Sequence, residues 1–406
     1  MRHYPKLQVT PKAERALKSG HPWVYEGEVT ALDGAPENGG IVDVYSAKNR
    51  WLGAGYYNDN SKIRVRVISR NANDRFDAAF YARRVRYALD YRKTVMGPDY
   101  GCCRLIFGEA DQFPGLTVDR YGDILVTQVA SLGTERVKDV IFRALADCLN
   151  EDGAPIRAIY ERNDLALREK EGLAQGTGFY PLPGLETDLD GHVRIRENGI
   201  VYDVDYIQGQ KTGFFLDQKY NRAAAAKLAA GKTVLDCFTH TGAFALNAAA
   251  GGANRVTAVD VSESALAQAK TNAALNGLTD RIDFVQADVF DLLTELAGGP
   301  RGAYDYIILD PPAFTKSAAT VKSAYRGYKE INLKAMKLLP RGGYLATCSC
   351  SRFMTAQLFT QMLQEAAQDA DVHLRQIEDR RQAPDHPILW GVPETEYLKF
   401  YLFQIV

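Results

Sequence analysis

Apolar and polar positions change their period twice along the chain. Up to about residue 72 they alternate in short runs broken by turns: Trp23-Val24-Tyr25, Ile41-Val42-Asp43-Val44-Tyr45, residues 51–57 and Ile63-Arg64-Val65-Arg66-Val67-Ile68. Period two predicts strands, and several so close together predict a small β-barrel over 1–72. At 76–96 the spacing becomes helical. Strands are expected at 104–109 and 124–129 with a turn-rich 115–123 between them, then a helix at 135–149 and a strand at 158–161. This makes 73–185 a central α+β domain. Residues 193–204 read as a hairpin around Asn198-Gly199, a strong turn signal, opening a last domain at 186–406. From Thr233 strands near 233–237, 255–260, 282–286, 304–309 and 343–348 alternate with helices starting at about 243, 263, 289, 321 and 355. That alternation predicts an α/β fold, a Rossmann-like parallel sheet with helices on both faces. Residues 397–406 are expected as an antiparallel edge strand.

Composition adds little to this picture except in how charge is distributed. A chain of 406 residues exceeds one ordinary core, and 46% apolar with 24% charged residues is usual for globular proteins. Net charge is −1, yet residues 1–100 hold 17 Lys+Arg against 11 Asp+Glu, so a net +6 front faces a net −7 remainder. A basic front suits a polyanionic partner. The start lacks an apolar leader segment and no run approaches the eighteen apolar residues of a membrane span. Six cysteines in so long a chain form no disulfide framework. The expectation is a cytoplasmic protein without a membrane anchor.

Candidate chemistry collects just after the strands, where doubly wound sheets bind ligands. The first strand runs into Asp236-Cys237-Phe238-Thr239-His240-Thr241-Gly242 and then an alanine-rich helix. With one glycine this loop lacks G-x-G-x-x-G, whose second glycine admits a pyrophosphate. A cofactor without phosphates fits instead, and S-adenosylmethionine is the candidate, with Asp236, Phe238, Thr241 and Gly242 bordering it. Asp260, 24 residues beyond Asp236, is placed for both ribose hydroxyls, and Asp288 for the adenine amino group. Each acid alone reads equally well as a helix cap.

The fourth strand ends in Asp310-Pro311-Pro312-Ala313-Phe314. Two prolines stiffen the loop and leave carbonyls to accept from a planar substrate, on which Phe314 would stack; the alternative is a proline-ended strand with a buried phenylalanine. The fifth ends in Cys348-Ser349-Cys350-Ser351. C5 of a pyrimidine is a poor nucleophile until a thiolate adds at C6, and a cysteine can do this and leave afterwards. Lowering a thiol from about 8.5 to about 7 is worth roughly 2 kcal/mol. A zinc site is disfavoured because no second cysteine or histidine pair stands at ligand spacing, so no metal is expected. His240 reads as a loop hydrogen-bonding residue. On the front segment Arg64 and Arg66 alternate with apolar positions, which puts them on an outer face able to contact phosphates with Arg70, or simply solvated.

On these residues the chain resembles the bacterial large-subunit ribosomal RNA cytosine-C5 methyltransferases with an N-terminal PUA domain. The likeness spans Gly20-His21-Pro22-Trp23-Val24, Gly53-Ala54-Gly55-Tyr56-Tyr57-Asn58, Gly115-Leu116-Thr117-Val118-Asp119, Tyr160-Glu161-Arg162-Asn163-Asp164, residues 210–218, Asp310-Pro311-Pro312 and Ser349-Cys350-Ser351. Cys348 and Arg352 depart from its pattern. The resemblance implies a PUA barrel, a central α+β domain, S-adenosylmethionine bordered by 210–218, with Lys211, Phe215 and Asp217, and Cys350 as the nucleophile. It implies large-subunit ribosomal RNA as the partner and leaves a homodimer open. Asp310 then faces the cofactor and holds the cytosine, with Pro311, Pro312 and Phe314 against the base. Two rivals remain: methylation of an amino group or of guanine without a cysteine, and an RNA-binding assembly factor without turnover.

Overall fold

A computed structural model of the chain describes residues 3–299 and 301–406, so the first two residues of the 1–72 span lie outside it. Packing divides these residues into two units. The first holds the described residues up to Arg194 with Val204–Leu216 and Pro384–Thr395; the second holds Ile195–Asp203, Asp217–Ala383 and Glu396–Val406. The spans 1–72 and 73–185 both lie in the first unit, and 186–406 is divided between the two.

In the first unit the front segment forms a six-stranded sheet in the order Trp23–Tyr25, Ile63–Ser69, Trp51–Tyr57, Ile41–Ser46, Lys6–Val9, Val29–Asp33. Leu7, Val9, Val24, Val42, Val44 and Val65 fill its core. The helix Pro11–Lys18 starts where Thr10 accepts the Ala13 N–H at 3.3 Å and seats Ala13 and Leu17 on that core. The outward reading of Arg64 and Arg66 is corrected, because both are buried. Arg66 forks onto Glu171 at 3.0 and 2.7 Å, while Arg64 pairs with Glu26 at 3.2 Å and with Asp59. Period two assigns residues to a face but does not say whether that face meets water. Here it is covered, so neither guanidinium is free for phosphate.

The central segment of the same unit forms a five-stranded sheet ordered Thr177–Phe179, Ala158–Arg162, Ile124–Val129, Leu116–Tyr121, Cys102–Phe107, with helices Ala78–Met96 and Leu132–Glu151. Leu116–Tyr121 lies in what read as a turn-rich stretch. Its charged residues misled the pattern: Asp119 is fully buried and takes two bonds from Arg104 at 2.7 and 2.8 Å. Gly115 and Gly122, with φ of +70° and +65°, mark its ends.

The second unit has a seven-stranded sheet ordered Ile282–Gln286, Arg255–Asp260, Thr233–Cys237, Tyr306–Leu309, Tyr344–Ser349, Lys399–Ile405, Leu374–Arg380. The first five strands are parallel, and they reverse order at Thr233–Cys237, the switch point where such sheets bind ligands. The doubly wound α/β expectation therefore holds, with helices starting at Ala243, Glu263, Val289, Val321 and Ala356. The last strand is antiparallel as expected, but it is not an edge. Lys399–Ile405 lies between Tyr344–Ser349 and Leu374–Arg380. The true edge, Leu-Arg-Gln-Ile-Glu-Asp-Arg, escaped notice because an edge strand tolerates charge on exposed positions. Among the described residues no helix is long and apolar enough to cross a membrane.

Candidate active site

The central strand of the second unit delivers Asp236 to the carboxyl end of the sheet. Its carboxyl is buried, and Oδ2 accepts the Thr239 hydroxyl at 2.6 Å. Oδ1 has no hydrogen-bond donor among the described residues. Burial pushes this carboxyl up to about 7, against the Thr239 bond and with the Asp310 and Asp260 charges adding to the rise. The loop beyond it is strained, since Phe238 and His240 are left-handed at φ +63° and +51°. Gly242, at φ +83°, is required for packing as well: a Cβ there would come within 3.0 Å of the Ala269 Cβ. This is why one glycine suffices in a loop that turns sharply. The backbone approaches a helix, and two ordinary residues carry the remaining left-handed geometry.

Asp260 stabilises that geometry. Its Oδ2 accepts the His240 N–H at 2.8 Å and Oδ1 accepts the Ser262 N–H at 2.9 Å. Asp288 caps the helix Val289–Ala297 through Oδ1, which accepts from Phe290 and Asp291 at 2.8 and 3.3 Å, while Oδ2 is free of hydrogen bonds among the described residues. Thr241 accepts Asn272 Nδ2 on its carbonyl at 3.1 Å. The strand ends thus present acids, and the arginine whose charge reaches them, Arg222, is already paired with Glu197. Such a donor set fits a ligand with an ammonium group and hydroxyls and opposes one with phosphates.

Asp310 accepts Gln218 Nε2 at 3.0 Å. Burial pushes Asp310 up to about 6, and the Asp217 charge adds to the rise while Arg222 opposes it. Asp217 is buried and accepts the Tyr397 hydroxyl at 2.6 Å. Arg222 is itself held by Glu197 through bonds of 2.6 and 3.0 Å. The two thiols differ. Cys348 lies within its strand with no exposure, and burial followed by the Asp310 charge drives its thiol well up. Cys350 lies beyond the strand, part-exposed, with Sγ 3.9 Å from the Pro311 carbonyl oxygen. The Asp310-Pro311-Pro312 loop and the cysteine loop therefore touch.

Gln218 closes the 210–218 stretch, and three residues absent from the sequence expectations of the site complete this end of the sheet: Tyr328, Tyr397 and Lys399. Lys399 Nζ donates to the carbonyls of Ser351 and Tyr397, both at 2.7 Å. Burial brings Lys399 down to about 8, while the Cys350 charge pulls it the other way. Its signal was present: one lysine inside the apolar run Leu398-Lys399-Phe400-Tyr401-Leu402. Tyr328 shares a 3.0 Å bond with the Ser351 hydroxyl. Phe314 is not a free platform, because its ring lies 4.5 Å from Tyr328, 5.8 Å from Phe290 and 6.4 Å from Phe238. Pro312 follows Pro311 in the same loop. Lys211 and Phe215 are counted with the first unit, where Lys211 Nζ lies 4.8 Å from the Phe215 ring centroid.

Comparison with known proteins gives concordant matches. Residues 7–70 match the family model of a PUA-like domain, and residues 130–403 that of an S-adenosylmethionine-dependent methyltransferase. A protein of Shewanella denitrificans named ribosomal RNA large subunit methyltransferase I is 42% identical, covering 97% of this chain and 98% of its own length. Its namesake in Klebsiella pneumoniae is 39% identical over 99% of each chain. A solved structure of a candidate S-adenosylmethionine-dependent methyltransferase from Streptococcus mutans superposes with a TM-score of 0.80 at 25% identity, covering 98% of this chain and 99% of that one.

Proposed function

The chain belongs to the S-adenosylmethionine-dependent methyltransferases, within the family of the ribosomal RNA large subunit methyltransferase I proteins, and from that premise we propose that it forms 5-methylcytosine in large-subunit ribosomal RNA. S-adenosylmethionine is its cofactor, and when bound it supplies a methyl group on an electrophilic sulfonium carbon. Asp236, whose Oδ1 has no donor among the described residues, would hold the methionyl ammonium, Asp260 the ribose hydroxyls and Asp288 the adenine amino group. Phe238, Thr241 and Gly242 border the cofactor, as does Asp217.

The observation that carries the acceptor reading is the 3.9 Å approach of Cys350 Sγ to the Pro311 carbonyl, which puts a part-exposed thiol beside the Asp-Pro-Pro loop. The Cys350 thiolate adds to C6 of a flipped cytosine, forming a C–S bond and moving electrons onto C5. Asp310 holds the base, donating to N3 when protonated and accepting from N4 when ionised. After C5 gains the methyl group, loss of its proton and cleavage of the C–S bond restore the aromatic ring and the thiolate. Lys399, a buried amine that holds the Ser351 carbonyl next to Cys350 in the chain, supports a thiolate there through its charge. Pro311 and Pro312 keep the loop rigid during these steps.

The test is nucleoside mass spectrometry of ribosomal RNA treated with each of two variants. Cys350→Ala should abolish 5-methylcytosine, whereas Cys348→Ala should retain it. Methylation of an exocyclic amine, for which the same proline loop offers acceptor carbonyls, predicts instead that both variants stay active.

A further inference from the structure

The first unit carries a tryptophan that no part of the proposed chemistry uses. Trp390 is 97% exposed, on the segment Pro384–Thr395. Its turn is firmly built: the Leu389 N–H donates to Thr395 Oγ1 at 2.9 Å, and the Val392 N–H and the Thr395 hydroxyl donate to the Leu389 and Val392 carbonyls, each at 2.7 Å. Gly391 lies against Gly20 so closely that a Cβ on Gly391 would come within 2.8 Å of the Gly20 Cα. An ordered turn that holds an indole in water forgoes the hydrophobic gain of burying it, which suits a ring kept for a partner.

Leu389 and Gly391, on either side of Trp390, line a cavity of about 320 Å³ together with Arg70 and Gln112. Gln112 also lines a more open cavity of about 650 Å³ with Arg84, Tyr87 and Tyr91. Tyr87 and Tyr91 stand one turn apart on the helix Ala78–Met96, and Tyr87 is 64% exposed. The neighbouring arginines of that helix, Arg83, Arg86 and Arg92, each pair with a carboxylate. Arg70 and Arg84 do not. Among the described residues Arg70 makes no hydrogen bond or ion pair, and Arg84 donates only to the Gln112 carbonyl at 3.3 Å while lying 4.4 Å from the Phe80 ring centroid. Partial burial lowers both guanidinium groups from their ordinary value. Arg70 is exposed and Arg84 half-buried, and neither is neutralised by an ion pair, although the Asp74 charge reaches Arg84 and Asp74 and Asp111 line its cavity. Such guanidinium groups attract an anion, and the tyrosine rings in the cavity offer stacking surfaces.

We infer that Trp390, Arg70, Arg84 and Tyr87 form a track on the first unit for a single-stranded segment of RNA, with bases stacked on the rings and phosphates held by the arginines. Aromatic faces alternating with guanidinium groups are the chemistry that binds unpaired strands without reading sequence. The track rests on the RNA acceptor proposed above and adds where the strand outside the catalytic loops is held.

The test uses the full chain and a fluorescein-labelled single-stranded RNA of about a dozen nucleotides, followed by anisotropy across a salt series. W390A and Y87A should each weaken binding about tenfold, the scale of one lost base stack. R70Q and R84Q should each reduce the slope of log affinity against log salt by about 0.7. All four should bind S-adenosylmethionine like the wild type and raise KM for ribosomal RNA more than they lower kcat. Unchanged affinity and slope in the four variants would overturn the track, as would no binding of the oligonucleotide by the wild type. Loss of a dimer in W390A during sedimentation, with RNA affinity unchanged, would make the turn a self-association face instead. Failure of the cytosine reading shows in the product of Cys350→Ala, whereas failure of the track shows in affinity, so the two are separable.

Discussion

Asp236 and Asp310 hold carboxyl groups that burial raises to about 7 and about 6, well above the roughly 3.9 of an unfolded chain. The folded protein therefore favours their protonated forms, and their contribution to stability is complete below about pH 4 and lost as pH rises through 6 to 7. Without cofactor the protein should be less stable at pH 8 than at pH 5. Asp236→Asn should flatten that dependence and raise the unfolding free energy at pH 8 by about 2 to 4 kcal/mol, while weakening S-adenosylmethionine binding. Urea melts at the two pH values check this, and an unaltered pH dependence would refute it. Lys399→Met should lower kcat about tenfold or more and move the acidic limb of the pH–rate profile to higher pH, because it removes the buried cation whose charge couples to that of Cys350. At this scale the sequence offered a strand-end loop with two thiols, and the resemblance singled out Cys350. Burial separates them independently, since Cys348 lies in a packed sheet and Cys350 is part-exposed beyond it. Lys399 was legible as a charge misplaced in an apolar strand, but its neighbour lies 49 residues earlier in the chain.

Asp288 belongs to an element before it belongs to a site. It caps the helix Val289–Ala297, so Asp288→Ala should cost about 1 kcal/mol, while Asp288→Asn should keep the cap. Calorimetric titration of S-adenosylmethionine into the Asn variant then isolates the ligand role: weaker binding at an unchanged Tm marks the acid as a ligand, and unchanged binding marks it as a cap alone. The parallel strands of the second unit were legible almost to the residue because each is an apolar run between turn signals. Leu116–Tyr121 and Leu374–Arg380 were not. The first hides charge in a buried ion pair and the second exposes charge at an edge, and both break the alternation that identifies a strand.

Across the first unit, the front sheet and the central segment are joined by buried charge. Glu171 accepts two bonds from Arg66, one from Ser61 at 2.6 Å and one from Asn58 Nδ2 at 3.0 Å. Glu171→Ala strands the Arg66 guanidinium without a partner and should cost about 3 to 5 kcal/mol in thermal or denaturant unfolding; a loss under 1 kcal/mol would mean that water replaces the carboxylate. The sequence by itself determined the parallel strands and helices of the doubly wound sheet, the acids at their ends and a strand-to-helix loop without G-x-G-x-x-G, because these depend on periodicity and on local backbone demands. Tertiary structure decided that Ile63–Ser69 is covered, which thiol is accessible, which strand is the edge and that Lys399 holds the Ser351 carbonyl beside Cys350. Each of these depends on what packs against a face from far along the chain, and local period carries no record of that.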